Sequence, residues 1–288
     1  MGKILGIFLT GAPYEEVLKK IASDIKTERV VLITTPNPEI VLRAQEDSTL
    51  KKILNKADIS IPDGVGLVAG IKFLSLPNPK DKFKRLLTLF VQALGVSFSI
   101  VFNRKWLFSD IAPIRGRDLA FDLVKLAHKA NWRVFLLGGE SGEAERATAR
   151  LGRLLPGLKI ASHGGPLLTN NLAHRGKADR LLEEEALEAI KKFAPEILMC
   201  AMTSPKQEKW LYRYLQKTNA KVGMGVGGTF KYFAGDYPLP PKWIDGLGLS
   251  WLFRLVTGDQ DVERITDAVW KFPAKVFLEK FRAPANHL

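Results

Sequence analysis

Short apolar runs alternate with helical stretches along most of this chain, and nearly every run ends in glycine, proline, serine or threonine. That rhythm is the strongest constraint on the fold. Runs at 4–9, 30–33, 57–61, 134–137, 158–161, 197–202 and 221–226 have strand length. Each is followed by a segment whose apolar residues recur at helical spacing. Strands separated by helices cannot pair as hairpins; they pair in parallel, with the helices crossing over the faces. The expected fold is α/β and Rossmann-like, a mostly parallel sheet flanked by helices. In such sheets the strand ends share one rim, where ligands bind.

Several rims carry chemistry. The run at 30–33 ends in Thr35-Pro36-Asn37-Pro38-Glu39, with Asn37 placed to cap a helix and Pro38 to begin it. The run at 57–61 closes in Pro62-Asp63-Gly64. A carboxylate held there can take a proton from a substrate hydroxyl. It can equally cap the next helix, and the spacing by itself leans to the cap. Gly138, Gly139 and Gly142 give part of a dinucleotide fingerprint without its G-x-G-x-x-G spacing. A phosphate rest and a tight strand-to-helix turn both fit them. His163 stands beside two glycines with no second ligand nearby, which reads as structural. The run at 197–202 leads into Thr203-Ser204-Pro205-Lys206-Gln207. Ser204 as N-cap, Pro205 at the first helical position and Gln207 three residues on predict a capping box. The free N–H groups of that helix make an anion site, to which Lys206 adds charge.

Two regions break the rhythm. Residues 86–102 contain no charged side chain, with Lys82, Lys84 and Arg85 before them and Arg104 and Lys105 after. Seventeen such residues lie at the lower limit of a spanning helix. A single span would put the two halves of one sheet on opposite sides of a membrane. The segment is therefore expected to lie in the interface, as an amphipathic or re-entrant element. The other reading is a surface that packs on a second subunit. Beyond residue 230, tryptophans and cations mix with apolar positions at helical spacing, including Val262, Ile265, Val269, Phe272 and Val276. Pro273 is expected to kink or end that helix. Its stripe fits a membrane surface or the α/β core equally. The expected division is a core of 1–71 and 113–230, an apolar insertion of 72–112 and a basic helical appendage of 231–288.

The balance of 43 Lys and Arg against 30 Asp and Glu, a net +13, implies an anionic partner: nucleic acid, phosphorylated substrate or acidic lipid. The single cysteine, Cys200, sits in an expected buried strand, so no disulfide framework is expected and a reducing compartment fits. The chain opens Met-Gly-Lys and goes straight into a strand-like run, so no signal peptide is expected. No metal-ligand spacing occurs, and no tightly bound metal or cofactor is expected. No nucleic-acid motif accompanies the charge, so nucleic acid is not expected as a partner.

Taken in order, the motifs resemble the WecG/TagA/CpsF family of glycosyltransferases (glycosyltransferase family 26). The resemblance runs through Thr35-Pro36-Asn37-Pro38-Glu39, Pro62-Asp63-Gly64-Val65-Gly66, Gly116-Arg117-Asp118-Leu119 and Phe135-Leu136-Leu137-Gly138-Gly139. It continues through Pro205-Lys206-Gln207-Glu208, Gly225-Val226-Gly227-Gly228-Thr229-Phe230, Pro241-Lys242-Trp243 and Trp251-Leu252-Phe253-Arg254-Leu255. Such enzymes move a sugar, often N-acetylmannosamine, from a UDP-sugar to a polyprenyl-diphosphate-linked sugar, with inversion and without a metal. The resemblance implies Asp63 as general base. It implies substrate contacts from Thr35, Asn37, Gly64, Asp118, Gly138, Gly139, Lys206, Gln207, Gly227, Gly228, Trp243 and Arg254. It also implies work at the cytoplasmic face of the cell membrane, in surface polysaccharide synthesis. A homo-oligomer is a further expected partner. This chain departs from the family in having Pro113 for an arginine, with Arg115 and Arg117 nearby, and Thr203 for a glycine. An altered member that binds nucleotide sugar or glycan lipid without transferring is the alternative; a basic nucleic-acid-binding protein ranks below both.

Overall fold

The computed structural model describes residues 2–140, 142–241 and 266–285, with the isolated positions 244, 253 and 257. Its centre is a six-stranded sheet in which every pairing is parallel. The strands are β3 (Val31–Thr34), β4 (Ile59–Ser60), β5 (Arg133–Gly138), β6 (Lys159–His163), β7 (Ile197–Ala201) and β8 (Val222–Gly225). They lie in the order β4-β3-β8-β7-β5-β6. The expected α/β, Rossmann-like architecture is the observed one.

Side chains alternate across this sheet as the strand period requires. Ile197 and Met199 of β7, Val134 and Leu136 of β5, and Val31 and Ile33 of β3 face one layer. There they meet α1 (Tyr14–Lys26), α7 (Gly116–Ala130), α8 (Glu143–Leu154) and α11 (Thr229–Ala234). Leu198, Cys200, Phe135 and Leu32 face the other layer. Its helices are α3 (Ser48–Lys56), α9 (Lys177–Phe193) and α10 (Lys206–Tyr214). The Cys200 thiol is fully buried, and burial pushes its pKa up.

The run at 4–9 is not one strand. It is a hairpin of β1 (Gly2–Ile4) and β2 (Ile7–Leu9), a two-stranded sheet of its own. Leu5 and Gly6 make the two-residue turn with φ of 47° and 75°, both left-handed as such turns demand. The strand after residue 57 is also shorter than expected, only two residues long.

A second apolar cluster lies beside the sheet. It joins β1, β2 and α2 (Pro38–Glu46) to α4 (Val65–Ser75), α5 (Lys82–Phe102) and α6 (Arg104–Leu107). The uncharged run is therefore one continuous helix, not a re-entrant hairpin. Near the C-terminus a π-helical stretch, Asp267–Lys271, runs directly into α12 (Phe272–Arg282). Pro273 does not end the helix: it stands in the first turn of α12 directly after the π-helical stretch, where the regular i→i−4 ladder is already interrupted. The α12 stripe packs inward: Phe272 and Val276 are buried with Ile4, Leu67 and Val68. Polar contacts lock α12 in place. Lys280 Nζ donates to the Phe73 carbonyl and to Gln92 Oε1. Asn78 donates to the Lys280 carbonyl at 3.0 Å and Arg85 to the Phe281 carbonyl at 2.9 Å. Burial pulls the Lys280 ammonium down to about 8.

Candidate functional site

Because every strand in the main sheet is parallel, all six release their chains on one rim. At its centre lie the ends of β3, β8 and β7. Thr35, just past β3, is buried, and its hydroxyl donates to the Gly225 carbonyl of β8 at 3.3 Å. Asn37 accepts from the Ile40 N–H at 2.9 Å and caps α2, as its position predicts. Gly116, which opens α7, packs on Thr35 so closely that an added Cβ would stand 3.1 Å from the threonine side chain.

The Asp63 turn is built onto the same loop. Ile61 N–H donates to the Thr34 carbonyl at 2.9 Å and Asp63 N–H to the Pro36 carbonyl at 2.9 Å. Ile114 N–H then donates to the Pro62 carbonyl at 3.0 Å, bringing the chain back from the apolar helices. Gly64 follows at φ 97°, a conformation that favours glycine, and α4 starts at the next residue. Asp63 is half-buried, on a turn whose position is set by backbone hydrogen bonds.

The α10 entrance differs from the expected capping box. The helix begins at Lys206, Pro205 occupies the cap position, and no side chain caps it. Gln207 does not turn back to Ser204. It is buried, accepts from the Gly227 N–H at 2.9 Å through Oε1, and donates to Glu208 Oε1 at 2.8 Å through Nε2. The side chain thus bridges the end of β7 to the glycine loop after β8. The side chain is drawn to the Gly227 N–H on the neighbouring strand end, and the Ser204 hydroxyl is left buried without a hydrogen-bond partner. Gly225 leaves room for it; a Cβ there would sit 2.9 Å from Nε2. Lys206 stands half-exposed on the first turn of α10, at the same rim.

Gly227 and Gly228 form the turn into α11, Gly227 at φ 53°. Gly138 and Gly139, both at positive φ, end β5 one strand further out. Gly139 N–H donates to the Ala201 carbonyl at 2.9 Å, and a Cβ on Gly138 would meet that carbonyl at 3.1 Å. These glycines hold the ends of β5 and β7 together. Asp118 pairs with two arginines on its own helix entrance: Arg117 Nε at 3.1 Å and Arg115 at 3.6 Å. Arg117 also covers the ring of Tyr232 on α11, 4.9 Å from its centroid. His163 is a turn residue, its Nδ1 accepting from the Gly165 N–H at 2.9 Å. Trp243 and Arg254 lie outside the described residues. Among the described residues, no three His, Cys, Asp or Glu side chains gather as a metal site.

Two residues at this rim escape a reading of the sequence. Glu208 sits in the first turn of a helix, where an acid normally faces water; here it is buried, with Oε2 taking no hydrogen bond. Burial pushes its carboxyl group up. Arg43, on α2, reaches across to the Ser204 carbonyl at 2.8 Å while pairing with Glu39 at 2.9 Å. It ties the Asn37 loop to the α10 entrance, and nothing in its sequence context marks it.

Thr203 adopts φ 60°, a left-handed conformation that costs a β-branched residue about 1–2 kcal/mol. Thr203→Gly relieves this and loses a 2.6 Å hydroxyl contact to the Met202 carbonyl. The gain is offset by about 0.4–1 kcal/mol of added freedom in the unfolded chain. The expected result is a melting temperature unchanged or slightly raised. A fall worth more than about 1 kcal/mol in thermal denaturation would show that the threonine side chain matters more than its strain.

The chain is similar to known proteins along most of its length. The Glycosyl transferase WecG/TagA/CpsF family model matches residues 2–94 and 95–286. A Staphylococcus aureus (strain MRSA252) protein named N-acetylglucosaminyldiphosphoundecaprenol N-acetyl-beta-D-mannosaminyltransferase is 25% identical over 264 residues. That alignment covers 91% of this chain and 87% of the relative. The protein of the same name from strain NCTC 8325 / PS 47 gives the same identity and coverage. By a family match along nearly its whole length, the chain belongs to the WecG/TagA/CpsF family of glycosyltransferases.

Proposed function

We propose that this chain moves an N-acetylmannosamine-like sugar from a UDP-sugar to a polyprenyl-diphosphate-linked acceptor, with inversion and without a metal. The observation that carries this reading is the backbone tether between the Asp63 turn and the Thr35–Asn37 loop, at the centre of a rim where helix N-termini converge. Asp63 takes the proton of the acceptor hydroxyl. The freed oxygen attacks the anomeric carbon from the face opposite UDP. The bond to the diphosphate breaks, and its electron pair leaves on the phosphate oxygen. That charge is met by the N–H groups opening α2, α7 and α10, by Lys206, and by Arg115 or Arg117. Gln207, Gly227 and Gly228 shape the donor side, Gly138 and Gly139 support it, and Asn37, Gly64 and Asp118 border it. Trp243 and Arg254 complete the substrate contacts. A relative named for an N-acetylglucosaminyl-diphosphoundecaprenol substrate supports the same acceptor class here.

The reaction belongs to cell-surface polysaccharide synthesis and takes place at the cytoplasmic membrane face, where the protein is peripheral. Its cationic segment at 80–105 faces anionic lipid.

The test is UDP release by the purified protein. UDP-N-acetylmannosamine and other UDP-sugars are offered with a short-chain polyprenyl-diphosphate N-acetylglucosamine acceptor, with and without chelator. Acceptor-dependent UDP release that survives chelation is the expected result. Donor binding without release points instead to a member that has lost transfer.

A further inference from the structure

We infer that α5 lies flat in the surface of an anionic bilayer, its outer face among the acyl chains and its two ends among the headgroups. This deepens the reading above, since it rests on a lipid-linked acceptor. A helix on the outside of a water-soluble protein normally turns its polar side outward. α5 does the reverse. Its buried positions are few: Leu89, Val96 and Ser99. Its outward stripe is Phe83, Leu87, Phe90, Leu94, Phe98 and Phe102, each more than half exposed. These recur at spacings of three and four, so they form one continuous face. Patches of such extent mark an interaction surface.

Two occupants suit an apolar face of this kind: lipid or a second copy of the chain. Charge decides between them. Between the N-cap Asp81 and Asp110 there is no acidic residue, while Lys82, Lys84 and Arg85 stand at one end and Arg104 and Lys105 at the other. Pairing α5 with its copy sets cations against cations whether the helices run parallel or antiparallel. That juxtaposition is strongly unfavourable without intervening acids. Anionic headgroups at both ends neutralise the same charges.

The helix lies in the surface instead of crossing it. Its 21 residues span about 31 Å, close to the thickness of a bilayer core. Along that length, however, one side is fastened to the protein. Gln92, at the middle of the helix, donates to the Pro77 carbonyl at 2.9 Å and accepts from Lys280 Nζ at 2.7 Å. Crossing would carry that lysine and the attached α12 to the bilayer centre. Lying flat leaves them on the water side, with the outer stripe about 5–10 Å deep. The polypeptide then returns through Ile114 to the Pro62 carbonyl. The catalytic turn is thus joined to the lipid-facing helix at both ends, through α4 and through residues 111–114. A bound membrane would present the diphosphate of a polyprenyl acceptor near that rim.

The experiment is vesicle flotation of the full chain with phosphatidylcholine alone and with added phosphatidylglycerol. The comparison is a variant carrying Phe90→Ser, Leu94→Ser and Phe98→Ser, positions 58%, 57% and 62% exposed. A thermal melt establishes that it folds. The intact chain is expected to float with phosphatidylglycerol vesicles and the variant to lose at least about tenfold in vesicle affinity. UDP release from a water-soluble acceptor should stay the same in both. A second variant with Lys82→Glu, Lys84→Glu and Lys105→Glu should lose the preference for phosphatidylglycerol. The inference is overturned if the intact chain does not float, or if the serine variant floats equally well. It is also overturned if sedimentation without vesicles shows a dimer that the serine variant dissolves. An intact chain that floats but releases no UDP removes the catalytic reading and leaves the docking in place.

Discussion

Asp63→Asn is expected to keep its fold and its donor binding while losing turnover by about a hundredfold or more, the usual cost of removing a general base. The turn's backbone does not depend on the side chain. The turn is held by the backbone contacts Ile61 to Thr34, Asp63 to Pro36 and Ile114 to Pro62, none of which uses the Asp63 carboxylate. Asparagine has nearly the same shape and the same backbone preferences. It cannot take a proton from the acceptor hydroxyl. The loss should fall on kcat, with the KM for the UDP-sugar little changed, because the proton moves only in the transition state. Steady-state kinetics with a thermal melt on the same preparation checks this. Turnover within a few fold of the parent would remove Asp63 from the role, and Asp118 and Glu208 are rim acids to try next.

How legible was the site in the sequence? Where the determinant is local, legibility was high. Asn37 and Pro38 announce a helix start, and Asn37 caps it. The buried β7 run and the Pro62-Asp63-Gly64 turn read correctly because burial on both faces and a glycine at positive φ leave plain marks. Where a tertiary partner competes with a local one, the sequence misleads. Ser204 and Gln207 match a capping box, yet Gln207 is drawn to Gly227 on the neighbouring strand end. Glu208 looks like a solvent-facing acid in a first helical turn and is buried. The run at 4–9 reads as one strand because Leu5, a poor candidate for a left-handed turn, hides the hairpin. The charge gap at 86–102 reads correctly as apolar. Only the packing of Leu89, Val96 and Ser99 shows which side is left uncovered.

Gln207→Ala is expected to cost about 2–4 kcal/mol, well above the ~1 kcal/mol or less of a lost capping partner. The difference follows from what the side chain leaves behind. Its removal strips the acceptor from the part-buried Gly227 N–H and the donor from the buried Glu208 Oε1. Glu208 then loses its Gln207 partner while Oε2 takes no hydrogen bond. Each orphaned group costs about 1–3 kcal/mol. The glycine loop also loses the contact that fixes it against α10. If that loop shapes the donor side, the variant should bind UDP-sugar more weakly, or turn over more slowly, even at temperatures where it is fully folded. Gln207→Glu separates the two contacts. It keeps an acceptor for Gly227 but sets a second carboxylate oxygen against Glu208 at a position where the donor now stands at 2.8 Å. Two buried acids so close cannot both ionise, so this variant should be destabilised as well. The measurement is a denaturation midpoint for each variant alongside kcat and KM at low temperature. A melting temperature that falls with unchanged kinetics would make Gln207 a structural bridge only. A loss of stability no larger than a surface cap would mean that the bridge to Gly227 contributes little.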